Sequence, residues 1–540
     1  MRVLRFLFAV LVLELTLSVA SRAQDASRLE TLLGISGRQK AAAPLLAPQG
    51  LQDHSVNGKL VLSLDDSIRL ALSNNTNIRL DRSQIEFAQN NIHRAYGPFD
   101  PLVTSSFADN RTKSPAITQI QGALIPDTLA QTTAFGYAQT FQTGTNFQTS
   151  FNANKSSDND TLKRVNPSIF SDLQFTVTQP LLRNFGLFPN RAPILIAQRN
   201  LKQARAVFQG EVNDIILQTV GSYWNVVLSR EALTVQRKSF EEAQKSYDHD
   251  KKALGLGALP PLDIYRSESQ VASRRVGVIQ AEYALKQAED QFRQVVGADL
   301  DDAIRVLDVE LTDQPELLGE LPSADIATTL ARALANRPEL TATREQLSSD
   351  ELSIRLAHNS LKPDLELSGF YAGNGLGGTP TKAGITSPGT GLSQVFHFTY
   401  PAYGATLSLT LPLKNHSAEA NLADAAVSQR RDQYQQRRTT QNITLEVSNA
   451  VHALEQAKLS MEASKIALDL AQKSLHADER KYELGAETVF FVLDAQTQLA
   501  QAELNLIQSQ INFQIAVAQL DHATGDLLEH HHVQIMEPAK

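Results

Sequence analysis

Few residues in this chain are spaced for chemistry. His530-His531-His532 is its one histidine run, but adjacent histidines do not share a helix face, so it reads as a solvated tail rather than a metal box. Asp158-Asn159-Asp160 offers oxygen ligands and lacks the rest of a calcium loop. Cysteine is absent, which excludes disulfides, a thiolate metal site, a thiol nucleophile and a lipid-anchored N-terminal Cys. Tyr223 and Trp224 stand amid Val220, Val226 and Val227 and read as core packing. No P-loop, GxGxxG or Ser/His/Asp pattern is present. We therefore expect no catalytic residue, no cofactor and no metal, and energy must come from a partner. A net charge of −8 and a pI near 5.9 give no general attraction to nucleic acid or acidic membranes.

What the chain does present is length and periodicity. From about Leu413 to Ala523 it reads as a very long helix, a tight turn at Leu484-Gly485-Ala486, and a shorter helix running back. In the first arm Ile443, Val447, Ala450, Leu454, Ala457, Met461, Ser464, Leu468, Ala471 and Leu475 step by four and three alternately, the repeat of a coiled-coil seam. In the second, Val492, Leu499, Leu506, Phe513 and Leu520 recur every seven residues, beside a row of small residues at Ala495, Ala502, Ser509, Ala516 and Ala523. The small row permits close approach of the paired helix and the large row supplies its knobs. At about 1.5 Å per residue the long arm spans roughly 100 Å, which is deeper than any ordinary globular core.

The first residues, Met1-Arg2-Val3-Leu4-Arg5, are basic, and an apolar run follows from Phe6 to Ala20. With small residues at Ser18-Val19-Ala20 and Ser21-Arg22-Ala23, residues 1–23 read as a secretory signal peptide. No later apolar run reaches the length of a spanning helix, so a membrane crossing would have to use β-strands.

Residues 24–60 read as a flexible segment. Beyond them one unit occurs twice, at 61–300 and 323–528, with a linker or equatorial region at 301–322 and a tail at 529–540. The offset of 262 from Ala71-Leu72-Ser73-Asn74 to Ala333-Leu334-Ala335-Asn336 still holds where Pro363 matches Pro101. Each helix pair then leads into short alternating strands. Leu365, Leu367, Gly369 and Tyr371 oppose Glu366 and Ser368; Leu173, Phe175 and Val177 oppose Gln174, Thr176 and Thr178. One apolar and one polar face fits lipid outside and water inside, although a soluble antiparallel sheet shares the pattern. Both copies leave the last strand at a proline, Pro180 or Pro412, for a long helical hairpin, and Asp263 matches Asp494 at an offset of 231. The first copy thus has 31 extra residues, including a hairpin at 133–154 turning at Thr143-Gly144-Thr145. That hairpin either joins the sheet or decorates its outer end, and we expect decoration. Gly297 and Gly525 close the two returning helices alike.

Duplicated helix–strand–strand–hairpin units behind a signal peptide, with Ser222-Tyr223-Trp224-Asn225 in the first long helix and Lys481-Tyr482-Glu483-Leu484-Gly485 leading to Val492-Leu493-Asp494-Ala495-Gln496, resemble the TolC-like outer membrane efflux proteins. The resemblance covers about residues 60 to 528. It implies a mainly α fold in which tandem helical hairpins form a trimeric α-barrel tunnel, with a β-barrel of about twelve strands shared by the three chains in the outer membrane. It implies a homotrimer that docks on a periplasmic adaptor (membrane fusion protein) and an inner-membrane pump, as the exit duct of tripartite efflux or type I secretion. A periplasmic coiled-coil adaptor is the alternative, although adaptors carry one such hairpin and not two. By position Asp263 and Asp494 match family aspartates just past the turns, and Tyr482 a tyrosine that helps tie the closed state. Three copies of each carboxylate round a narrow pore would repel anions. Glu487 stands where the family's type member has a basic residue and Phe491 where it has an Asp, so its closing salt bridge cannot be assembled here in the same way, and Phe491 suggests an apolar constriction. The tips at Leu254, Gly255, Gly257, Leu484, Gly485 and Ala486 are the expected adaptor contacts.

Overall fold

The computed structural model describes residues 45, 47–115, 125–161, 163–256, 262–315, 324–380, 388–531 and 533. The expected signal peptide, most of the 24–60 segment, Gly257 at the first tip and the end of the tail lie outside the described residues. The chain divides after Pro48, and every element that follows belongs to the second unit, Gln49–Lys540.

In chain order these are β1 (Ser55–Val56), β2 (Lys59–Leu62), α1 (Leu64–Asn74), α2 (Thr76–Tyr96), β3 (Leu102–Lys113), β4 (Asp127–Thr140), β5 (Asn146–Asp158), β6 (Val165–Pro180), α3 (Leu187–Gly255) and α4 (Asp263–Val296). Then come β7 (Asp308–Leu311), α5 (Ile326–Asn336), α6 (Pro338–Ser360), β8 (Asp364–Pro380), α7 (Pro388–Phe396), β9 (Tyr400–Thr410), α8 (His416–Glu483), α9 (Val489–Thr524) and α10 (Leu527–His530). The end of the segment expected to be flexible is ordered: Leu51 is buried, and β2 pairs in parallel with β7 from the region read as a linker.

Capping explains where the short helices begin. Ser63 accepts the backbone N–H of Asp66 at 3.2 Å and donates to its carboxylate at 2.6 Å, so side chain and backbone satisfy each other across the first turn of α1. Ser63→Ala is expected to cost about 1 kcal/mol, read as a lowered denaturant midpoint; an unchanged midpoint would show the cap to be replaceable by water. The helices α4 and α9 both end on a left-handed glycine, Gly297 at φ 73° and Gly525 at φ 81°. Each glycine abuts the corresponding asparagine of its own copy. A Cβ on Gly297 would meet the Asn74 Cβ at 2.7 Å, and one on Gly525 would meet the Asn336 Cβ at 3.3 Å.

The seams read from the sequence are buried from Ile443 to Ala457 in α8 and along most of α9, and half-buried from Met461 to Leu475. Leu454 and Ala457 of α8 cluster with Phe513 and Ala516 of α9, and Phe513 is completely enclosed. The long helices lie side by side in the order α4–α3–α9–α8. The widest part of the core surrounds Tyr223, Trp224 and Phe292, with β2 and β7 against it; Tyr223 donates to Asp313 at 2.7 Å, and burial pushes its phenol pKa up.

A charged cluster ties the second copy to this layer. The buried Arg337 guanidinium binds Glu446 at 3.0 and 3.1 Å, Glu339 at 2.9 and 3.0 Å, and the His522 carbonyl oxygen at 3.1 Å. The His522 ring lies between Glu446 at 3.1 Å and Asp214 at 2.7 Å. Burial alone would lower the imidazole pKa, but the two carboxylates raise it to about 9.

The β-elements differ from expectation in number. Six strands, in the order β3-β4-β5-β6-β8-β9, form one antiparallel sheet. The hairpin expected to decorate the outer end is β4–β5, paired along its whole length to β3 on one side and β6 on the other. The expectation of two strand pairs per chain, and so of twelve strands over three chains, gives way to three pairs. A pairing of long alternating strands is favourable wherever they meet in register, and a sequence pattern does not reveal which strands meet. The sequence also hid α7, which folds onto the apolar sheet face: Phe396 stacks on Phe151 at 6.2 Å and Phe398 meets Tyr371 at 5.2 Å. Gly375 leaves room for that approach, since a Cβ there would meet the Gly391 carbonyl oxygen.

Candidate functional site

The two long hairpins converge at the end remote from the sheet. There α8 stops because Gly485 adopts φ 70°, and Ala486 N–H donates back to the Lys481 carbonyl at 2.9 Å. Lys481 fastens this turn by donating to Asp478 at 3.1 Å and Glu487 at 2.8 Å, and Glu487 first, then Asp478, holds its ammonium pKa up.

One buried carboxylate joins three helices. Asp250 of α3 is 1% exposed. Ser267 of α4 donates to one of its oxygens, and Tyr482 of α8 donates to the other at 3.3 Å. His249 lies edge-on to the Tyr482 ring at 6.3 Å, with its Nδ1 3.5 Å from the same carboxylate. The carboxylate therefore bridges the first hairpin internally and latches the second hairpin onto it.

Further ties run along the same interface. Arg266 of α4 lies 5.8 Å over the Phe490 ring, and Phe490 meets Phe491 edge-on at 5.5 Å. Gln270 and Arg274 of α4 both reach the Thr497 hydroxyl on α9, at 3.3 and 2.5 Å, and burial lowers the Arg274 pKa. Lys238 of α3 binds Glu503 of α9 at 2.8 Å, which raises the lysine pKa.

Of the residues singled out from the sequence, the structure brings Tyr482 into the latch. Glu487 pairs with Lys481 inside its own turn. Phe491 is half-exposed beside Phe490. Asp494 is exposed and accepts from Gln498 one turn along at 2.7 Å, apart from the Asp250 cluster. Asp263 is the first residue of α4. At the tips Leu254 is half-buried, whereas Gly255, Leu484, Gly485 and Ala486 are exposed. Sequence reasoning missed Asp250, Ser267, Arg274 and Thr497. One signal was available: Ser239, Ala243, Ser246 and Asp250 step by four, three and four, so an acidic residue continues a seam of small residues.

Comparison with known proteins agrees with this architecture. Residues 329–526 match the family described as outer membrane efflux protein. The chain is 24% identical to the outer membrane protein TolC of Escherichia coli (strain K12), over 60% of this chain and 63% of that one. It is 21% identical to the outer membrane efflux protein BepC of Brucella suis biovar 1, over 63% of this chain and 70% of that one. The first alignment thus spans less than two thirds of the relative. The fold matches that of the Campylobacter jejuni CmeC outer membrane channel with a TM-score of 0.64 at 14% identity, covering 86% of each chain.

Proposed function

We propose that this chain, which resembles the TolC-like outer membrane efflux proteins, is the outer membrane exit duct of an export assembly, closed at its helical tips by the Asp250–Tyr482 latch. The observation that carries this reading is that both layers of the fold are open-ended. Among the described residues the sheet has unpaired edges at β3 and β9, and the helix layer has outer members α4 and α8. Those outer helices leave apolar rows uncovered: Leu445, Leu459 and Ile466 on α8, and Val276, Ile279 and Tyr283 on α4. A single chain cannot bury these rows or close the sheet; a ring of identical copies does both, since α8 of one meets α4 of the next and β9 meets β3. Three copies form the ring, as the resemblance implies. A periplasmic adaptor then contacts the tips, at Leu254, Gly255 and Gly257 of the first hairpin and Leu484, Gly485 and Ala486 of the second, and an inner-membrane pump supplies the energy.

Small conductance steps are the expected record from purified protein in a planar lipid bilayer, and larger ones after Tyr482→Phe. Protein that never inserts would contradict the duct. Phe491→Ala tests the apolar constriction separately. It is expected to raise conductance less than loss of the latch does, because an aromatic ring excludes water but ties no helices together. An unchanged conductance would remove Phe491 from the gate.

A further inference from the structure

We infer that the β4–β5 hairpin widens the pore, so that the assembled barrel has eighteen strands and passes solutes that a barrel of four strands per copy excludes. The strand number rests on the three-copy assembly proposed above; the hairpin's place in the wall rests on this chain alone.

The pairing is continuous across the insertion. Leu102 to Lys113 pair with Ala138 to Asp127, Thr128 to Thr140 pair with Asp158 to Asn146, and Asn146 to Ser156 pair with Thr178 to Ser168. The face alternation continues through these registers. Phe107, Phe135, Phe151 and Leu173 fall on one face, and Ser106, Ala134, Asn152 and Asp172 on the other, where the Asn152 amide donates to Asp172 at 2.9 Å. The hairpin therefore has the apolar exterior and polar interior of the strands it separates.

Its turn reaches the level where strands give way to helices. Thr145 donates to Gln179 at 2.5 Å, and a Cβ on Gly144 would stand 2.6 Å from the Asn184 carbonyl oxygen, just before α3. A decoration on the outer end could not make these contacts. Because two strands were added, β3 and β9 still run in opposite directions at the two edges, and copies close head to tail without a parallel pair. Meanwhile α7 lies on one part of the apolar face, against β8 and Phe151, and leaves the polar one to line the bore.

Bore grows about linearly with strand number, so eighteen strands give about 1.5 times the diameter of twelve. The cargo this favours is bulky and hydrated, with its passage limited by the helical tips and not by the barrel.

The test uses the Asp250→Ala background, the change expected to open the tips furthest, and graded polyethylene glycols as probes of the barrel in planar bilayers. Deletion of residues 127–158 leaves β3 antiparallel to β6 and is expected to lower both the polymer size cut-off and the open conductance, the latter to roughly half. An unchanged cut-off and conductance would overturn the wider bore. Should the deletion not assemble, Thr145→Cys with Gln179→Cys gives a second reading in the full chain, which has no other cysteine. The disulfide is expected to form on mild oxidation, and its failure to form would overturn the hairpin's place in the wall. A detergent-corrected mass other than three copies would overturn the count of eighteen through the assembly, even where the disulfide forms.

Discussion

Arg337→Ala is expected to destabilise the folded chain by about 3 kcal/mol, because it leaves Glu339 without its cation, Glu446 with His522 alone, and a cavity where the guanidinium stood. The figure sits at the low end for a broken buried ion pair, since Glu339 and Glu446 keep partial access to water. Urea unfolding of the detergent-solubilised protein, followed by helical circular dichroism, reads it as a lowered midpoint. An unchanged midpoint would mean that the cluster only decorates the helix junction. The same cluster sets a pH dependence. The His522 pKa lies at about 9 in the folded chain against an ordinary value of 6.5, so its contribution is complete below about 6.5. It then declines and is lost as pH rises through about 9. Glu446 behaves oppositely: burial opposes its ionisation, but His522 and Arg337 hold its pKa down to about 2, so its contribution is complete above 4.5 and lost as pH falls through about 2. Unfolding midpoints that fall between pH 7 and 9.5 in the native chain and stay flat in His522→Gln would support this account; parallel curves would refute it.

Asp250→Ala should open the tips further than any other single change. It removes the common acceptor of Ser267 and Tyr482 and frees three helices at once. A hydrogen bond to a charged group contributes about 1.5–3 kcal/mol, so loss of the Tyr482 contact alone shifts the balance from closed toward open by roughly tenfold or more per copy. Single-channel recordings should show long openings that the native protein rarely visits, with Tyr482→Phe intermediate. Asp250→Asn keeps the volume and one acceptor and is expected to fall between native and Asp250→Ala. Native conductance in Asp250→Ala would assign closure to other residues.

Periodicity carried most of the helical layer. The stepped rows in α8 and α9 are legible because a helix buried along one stripe must repeat its apolar residues every three and four positions; those from Ile443 to Ala457 are enclosed, and those from Met461 to Leu475 are half-buried. The duplication was legible for a similar reason, since Asn74 and Asn336 each face a terminal glycine that tolerates little else. Strand partnership was not legible. The register of β4 on β3 depends on residues far apart in the chain, and a two-strand insertion obeys the same alternation whether it joins a wall or stands outside it. The latch was half legible. Tyr482 was named by resemblance, but its acceptor lies 232 residues away on another helix and shows itself only as a carboxylate continuing a row of small residues.

If this chain works as a ring of three forming one continuous duct, the detergent-extracted protein must carry that ring. Mass-resolved chromatography combined with negative-stain imaging is predicted to give three copies per particle and a long tapered cylinder, broad at the β end. A monomer that stays soluble without detergent would contradict the account.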